Sequence, residues 1–130
     1  MGMESASPLV GSPLGVTQPW WVVCLCAQWC GACREYRNAF EALAGDWPQV
    51  RFAWVDVEDE EDVVGDVDVE TFPTVLIADG SAARFLGPVL PQAQIVGLML
   101  QGLQSDPRAA VAGAQAQALF ERIAASRPSL

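Results

Sequence analysis

The sequence predicts one α/β domain in which a central mixed sheet is flanked by helices. Of the 130 residues, 52% are apolar and 18% are charged, which is typical of a globular chain. Apolar runs alternate with helical periodicity in the order strand, helix, strand, helix, strand, strand, helix. A helix between the first two strands predicts parallel neighbours, and a hairpin signal later in the chain adds an antiparallel pair.

The elements follow from local patterns. Proline and glycine are dense in residues 1–19, so we expect an irregular N-terminal arm. Residues 20–104 form the predicted α/β domain. Runs of β-branched and aromatic residues predict its strands at 20–26, 50–57, 75–78 and 83–86. Helices are predicted from Ala32 to Gly45, from the acidic run 58–62, and over 91–103, the last with Leu98 facing inward.

The last part of the chain, residues 105–130, differs in composition. Ser105 and Asp106 with a following proline predict a helix start, and the alanine-rich stretch 109–125 favours a helix. An apolar strip along this helix must pack on the domain or on another chain, so we expect a monomer or a weak homodimer. The strip consists of Val111, Leu119, Phe120 and Ile123.

Two cysteines three positions apart, Cys30 and Cys33, follow the first strand and precede a helical segment. This context places Cys30 at the helix N-terminus and Cys33 one turn inside. Free backbone N–H groups and the helix dipole favour a thiolate there. Because the thiolate is the form that attacks a disulfide, the first cysteine is predicted to be the nucleophile and the second to resolve the mixed disulfide. Such chemistry needs no metal or organic cofactor.

The other two cysteines, Cys24 and Cys26, lie on one face of the first strand because side chains alternate along a strand. We expect them to be buried packing thiols. All four cysteines lie between Cys24 and Cys33, too close in sequence to staple distant parts of a fold. A four-cysteine metal or cluster site is the alternative, although its spacing differs from the usual paired C-x-x-C zinc pattern.

The charge balance excludes several classes of function. The net charge is −9, with seven arginines, no lysine and no histidine, so nucleic acid and anionic membranes are not expected partners. Without histidine, Cys–His catalysis and histidine-ligated metal sites are excluded. Residues 1–19 contain no lysine, arginine or sustained apolar core, so they do not resemble a secretory signal. We expect a cytoplasmic protein, or a periplasmic one if a signal peptide has been removed.

The motif Trp29-Cys30-Gly31-Ala32-Cys33, followed by Phe72-Pro73-Thr74 in this order of elements, resembles the thioredoxin family. The resemblance runs from about residue 20 to 103 and implies the thioredoxin fold and thiol–disulfide exchange. It implies an exposed nucleophile at Cys30, a buried resolving thiol at Cys33 and a redox-active disulfide between them. Pro73 would be the family's cis-proline. A substrate groove would be bordered by Trp29, Gly31, Ala32, Phe72, Pro73 and Gly87.

The sequence also departs from the family's pattern. Ala32 stands where thioredoxins usually have proline, so a strongly reducing potential is not carried over. Cys24 and Trp54 stand where the family has a buried aspartate and its lysine partner. Because that helper is absent, we expect Cys33 to attack slowly or through water.

Together these patterns predict a thiol–disulfide oxidoreductase, and the cytoplasmic expectation favours a disulfide reductase. Its partners would be protein disulfide substrates and an electron-donating reductase or thiol system. The alternative is a partner-binding or chaperone-like module on the same fold, whose dithiol is incidental or redox-sensing.

Overall fold

A mixed sheet forms the centre of the molecule. The computed structural model describes residues 19–27, 29–65, 67, 69–106 and 111–127, so the N-terminal arm predicted for residues 1–19 lies almost entirely outside the described residues. The strands are β1 (Trp21–Cys26), β2 (Arg51–Asp56), β3 (Thr74–Ala78) and β4 (Ala83–Pro88). The helices are α1 (Gly31–Asp46), α2 (Glu61–Val64), α3 (Ala93–Ser105) and α4 (Ala114–Ser126). No helix within these ranges is long and apolar enough to cross a membrane.

Strand β1 lies inside the sheet, whose order is β2-β1-β3-β4. It runs parallel to β2, with Cys24 opposite Trp54, and antiparallel to β3. Strand β4 pairs antiparallel with β3. Every residue of β1 is buried, as expected for a strand covered on both faces. The predicted mixed sheet and its hairpin are therefore confirmed.

The two faces of the sheet have separate cores because side chains of β1 alternate between them. Val22, Cys24 and Cys26 point to one face, where they pack with residues of α1 and α3. We call this the α1/α3 face. Trp21, Val23 and Leu25 point to the other face, where α2 and α4 cover them; this is the α2/α4 face.

Helix α1 buries the predicted stripe of Cys33, Tyr36, Phe40 and Leu43 and ends at Asp46, one residue beyond the predicted glycine stop. Helix α2 is a single turn.

Helix α3 presents a different side to the sheet from the predicted one. Leu98 is 66% exposed, whereas Ala93, Val96, Gly97 and Leu100 are buried. A Cβ added at Gly97 would lie 3.4 Å from Cδ1 of Leu43 on α1. The small side of α3 therefore lets the two helices approach closely, and the predicted inward orientation of Leu98 is wrong.

Helix α4 begins at Ala114, later than the predicted start, and residues 107–110 lie outside the described residues. Its apolar strip packs on the domain: Leu119, Phe120 and Ile123 are buried on the α2/α4 face. The Phe120 ring meets the edge of the Trp21 ring at 5.9 Å between centroids. Val111 precedes the helix and is 69% exposed, so its predicted place in the strip is wrong. The domain boundaries stay predictions.

Candidate active site

Cys30 occupies the start of α1, as the sequence predicts. It is the N-cap residue, in an extended conformation, and its N–H donates a hydrogen bond of 3.1 Å to the Ala27 carbonyl just after β1. Among the described residues no side chain caps the first turn, so in this part of the structure its backbone N–H groups are open to a negatively charged ligand. Of the four cysteines, all of which lie within the described ranges, Cys30 alone is partly exposed, and its thiol is free.

The disulfide in this structure joins Cys33 to Cys26, not to Cys30 as the family resemblance implied. The two Cα atoms are 5.8 Å apart, well within the reach of a disulfide. Cys33 lies on the buried side of α1, and Cys26 ends β1 on the sheet face that this side covers. The expectation that Cys26 is a packing thiol is therefore wrong: its sulfur is one half of the disulfide.

Cys24 is a third buried cysteine, and it lies next to the disulfide. Its Sγ lies 3.6 Å from Sγ of Cys26. Because a disulfide sulfur carries no hydrogen, the Cys24 thiol is the donor in this contact. Burial raises the pKa of Cys24 well above its usual range, an effect that the nearby Arg37 only partly opposes. Cys24 is thus a protonated, buried thiol, in keeping with its predicted packing role.

The surroundings of Cys24 differ from the aspartate–lysine pair of the family. Trp54 lies beside it in the sheet, and the Arg37 guanidinium stacks 5.0 Å from the centroid of the Trp54 ring. The Tyr36 hydroxyl is buried and has no hydrogen-bond partner among the described residues. Burial, together with the charge that a Cys24 thiolate would carry, raises the pKa of Tyr36 to about 12. Both groups are therefore neutral near pH 7 and do not act there as a base for Cys33.

The predicted groove residues fall into two groups. Trp29 is 63% exposed, and its ring meets the edge of the Phe72 ring at 5.6 Å between centroids. The Phe72–Pro73 peptide bond is cis, the geometry that the resemblance implied. The Pro73 carbonyl accepts a 3.1 Å hydrogen bond from the Val89 N–H, which ties this loop to the end of β4. The structure thus brings Trp29, which precedes Cys30, against the proline loop.

The two glycines of the predicted groove have different surroundings. A Cβ added at Gly31 would meet no atom within 4 Å, so open space adjoins the residue next to Cys30. Ala32 beside it is half-buried. A Cβ at Gly87 would instead lie 3.1 Å from the Phe85 ring of the same strand. The glycine at 87 is thus explained by packing within the chain, and its role at the groove stays a prediction.

The four-cysteine metal site is not formed in this structure. Two of its four sulfurs are bonded to each other, and a metal ligand must be a thiolate. The described residues also contain no group of three or more cysteine, aspartate, glutamate or histidine side chains arranged to hold a metal ion.

A mixed sheet, a partly exposed cysteine at a helix start and a cis-proline loop in contact with the neighbouring Trp29 define the class of proteins with the thioredoxin fold. The family model described as Thioredoxin matches residues 15–100, and the chain belongs to the thioredoxin family. A Streptomyces coelicolor protein named as a thioredoxin is 32% identical over 96 residues, which are 71% of this chain and 72% of that protein. This membership and the close cysteine pair support thiol–disulfide exchange as the general class of chemistry.

Other relatives match a shorter part. Mouse thioredoxin is 40% identical over 53 residues, which are 41% of this chain and 50% of that protein. The chain therefore spans about half the length of this animal relative. The X-ray structure of Fasciola hepatica thioredoxin superposes with a TM-score of 0.58 at 28% identity and covers 65% of this chain and 82% of that one.

Sequence reasoning missed Cys26 as a partner of Cys33. The signal was present: the alternation of β1 puts Cys26 on the sheet face that the cysteine side of α1 covers. The C-x-x-C motif suggested Cys30 as the partner of Cys33. In the structure Cys33 is bonded instead to Cys26, across the junction between β1 and α1.

Proposed function

We propose that this protein is a disulfide reductase for protein substrates, with Cys30 as the nucleophile. The observation that carries the proposal is the position of Cys30: a free, partly exposed thiol at the start of α1, one turn before Cys33. A helix N-terminus stabilises negative charge, and the thiolate is the attacking form of cysteine.

The proposed cycle has two exchange steps. The Cys30 thiolate attacks one sulfur of a substrate disulfide, which forms a mixed disulfide and releases the other substrate sulfur as a thiolate. Cys33, as a free thiol, then loses its proton and attacks the Cys30 sulfur, which releases the reduced substrate. Two electrons from a partner reductase or a thiol system restore the dithiol. Because Cys24 and Tyr36 are neutral, water is the proposed acceptor of the Cys33 proton.

The substrate would bind beside the cis-proline loop. In this proposal an extended segment pairs with the backbone of the half-buried Phe72, while its side chains lie against Trp29 and over the open space at Gly31. Recognition through backbone groups suits protein substrates of varied sequence. We place this activity in the cytoplasm, where thiol systems keep dithiols reduced.

A binding module with a redox-sensing dithiol is the second candidate. The observation in its favour is the Cys26–Cys33 disulfide, because Cys33 cannot resolve a mixed disulfide while it is bonded to Cys26. This candidate predicts that the protein binds its partner equally well with Cys30 replaced.

Reduction of insulin with dithiothreitol as electron donor tests the proposal. The wild-type protein should accelerate the reaction, and Cys30→Ser should bring the rate down to that of dithiothreitol alone, because the nucleophile is lost. Cys24→Ala is the matched control, since that thiol is buried and protonated, and it should retain activity. Activity that survives in Cys30→Ser would remove Cys30 as the nucleophile.

A further inference from the structure

Cys33 has two possible disulfide partners. It is bonded to Cys26 across the strand–helix junction, with Cα atoms 5.8 Å apart. Cys30, the N-cap residue, precedes it by three positions, and the residues at N-cap and N3 meet across the first turn of a helix. Cys33 therefore has one bonded partner in the core and one candidate partner at the surface.

We propose that Cys26 is a third redox-active cysteine, which takes the disulfide from Cys30–Cys33 and stores it in the core as Cys26–Cys33. The inference rests on the proposed function in one respect, because substrate reduction supplies the Cys30–Cys33 disulfide. It goes further in assigning chemistry to a residue outside the C-x-x-C motif.

The exchange step balances without an added oxidant. The Cys26 thiol gives up its proton and its sulfur attacks Cys33, so that the Cys26–Cys33 bond forms while the Cys30–Cys33 bond breaks. Cys30 leaves as a thiolate and takes up one proton, so the net reaction moves one proton from Cys26 to Cys30. The number of disulfides is unchanged. Packing favours the product of this exchange, because Cys26 and Cys33 are buried against each other in one cluster, whereas Cys30 is partly exposed.

The stored disulfide is accessible to external thiols only through Cys30. Cys26 is 0% exposed and Cys33 is 1% exposed, so a reductant in solution does not reach either sulfur. Cys24 touches Cys26 but is itself 0% exposed, so it gives external thiols no second way in. The remaining route is the reverse step, in which the Cys30 thiolate attacks Cys33 and returns the disulfide to the surface.

The exchange gates the activity. While Cys33 is bonded to Cys26, Cys30 can still attack a disulfide, but no thiol is available to resolve the product. The protein then holds its partner as a mixed disulfide instead of releasing it. When Cys26 and Cys33 are joined, the protein therefore binds its partner covalently through Cys30 instead of reducing it and releasing it.

Disulfide mapping tests the location of the stored pair. The protein is oxidised with diamide, free thiols are blocked with N-ethylmaleimide after denaturation, and the peptides are mapped by mass spectrometry. Wild type and the control Cys24→Ala should contain Cys26–Cys33 with Cys30 alkylated, and Cys26→Ala should contain Cys30–Cys33. Oxidised wild type in which Cys30 and Cys33 are joined and Cys26 is alkylated would overturn the inference.

The rate of reduction tests the route. In oxidised Cys30→Ser the Cys26–Cys33 disulfide should be reduced by dithiothreitol at least about tenfold more slowly than in wild type, because both sulfurs are buried. Equal rates would overturn the route through Cys30. The two proposals fail on different results. A wild-type protein that does not reduce insulin would overturn the proposed reductase activity. A wild-type protein that reduces insulin but, when oxidised, contains only the Cys30–Cys33 disulfide would overturn the proposed storage step.

Discussion

The two faces of the sheet use the same strand for different purposes. On the α1/α3 face, β1 contributes Cys24 and Cys26, next to Cys33 and the buried hydroxyl of Tyr36. On the α2/α4 face, β1 contributes only apolar side chains, which pack against apolar residues of α4. The polar contacts of α4 lie at its rim, where Arg122 donates to the Val63 carbonyl at 2.7 Å.

This difference shows how a small domain combines reactivity with stability. The proposed exchange of disulfide partners takes place on the α1/α3 face, where the cysteines belong to the same buried cluster as several aromatic residues. The Phe40 ring lies 5.3 Å from the Phe52 ring and 5.7 Å from the Trp54 ring. Among the described residues, the buried cluster of the α2/α4 face contains no sulfur, and its stabilising contribution is mainly hydrophobic burial. Alternate side chains of β1 thus separate the face proposed for thiol–disulfide exchange from the face that contributes the apolar packing of α4.

The largest effect on stability is expected from the supporting face. Ile123→Ala removes a fully buried side chain from α4 and should lower the free energy of unfolding by about 2–5 kcal/mol. Urea denaturation measures this loss. The alkylation rate of Cys30 under native conditions should not change, because the two faces are separated by the sheet.

Leu98→Ala is the matched control on the other face. Leu98 is 66% exposed, so its truncation should change the free energy of unfolding by no more than about 0.5 kcal/mol. If Ile123→Ala also altered the reactivity of Cys30, the proposed separation of the two faces would be contradicted.

A smaller effect, of opposite sign, is expected on the reactive face. Tyr36→Phe removes a buried hydroxyl that has no partner among the described residues. An unsatisfied buried polar group is destabilising, so the free energy of unfolding should stay unchanged or rise by up to about 1 kcal/mol. Urea denaturation of the reduced protein is the measurement. A loss of more than about 1 kcal/mol would show that the hydroxyl makes a stabilising interaction.

Most of the fold could be predicted because its signals are local or depend on simple connection rules. The buried strand β1, the apolar stripe of α1 and the hairpin around Asp79 each follow from residue patterns within a few positions. The orientation of α3 could not be predicted this way. Its large apolar residues suggested one side, but close packing of Gly97 against Leu43 selected another.

The site, like the fold, could be predicted only where its features follow from local patterns or from the order of elements. The position of Cys30 at the helix start follows from the order of elements, whereas the bond between Cys26 and Cys33 depends on how α1 lies across the end of β1. The C-x-x-C motif shows which cysteines are close in sequence. It does not show which cysteine of β1 lies next to Cys33 once α1 packs on the sheet.

The most direct test of the central claim is the rate at which each cysteine of the reduced, folded protein reacts with iodoacetamide at pH 7, followed by peptide mass spectrometry. Cys30 should react first, because it is partly exposed at a helix N-terminus, and Cys24 should react only after unfolding, because burial raises its pKa. Equal, slow labelling of Cys30 and Cys24 in the folded protein would contradict the account.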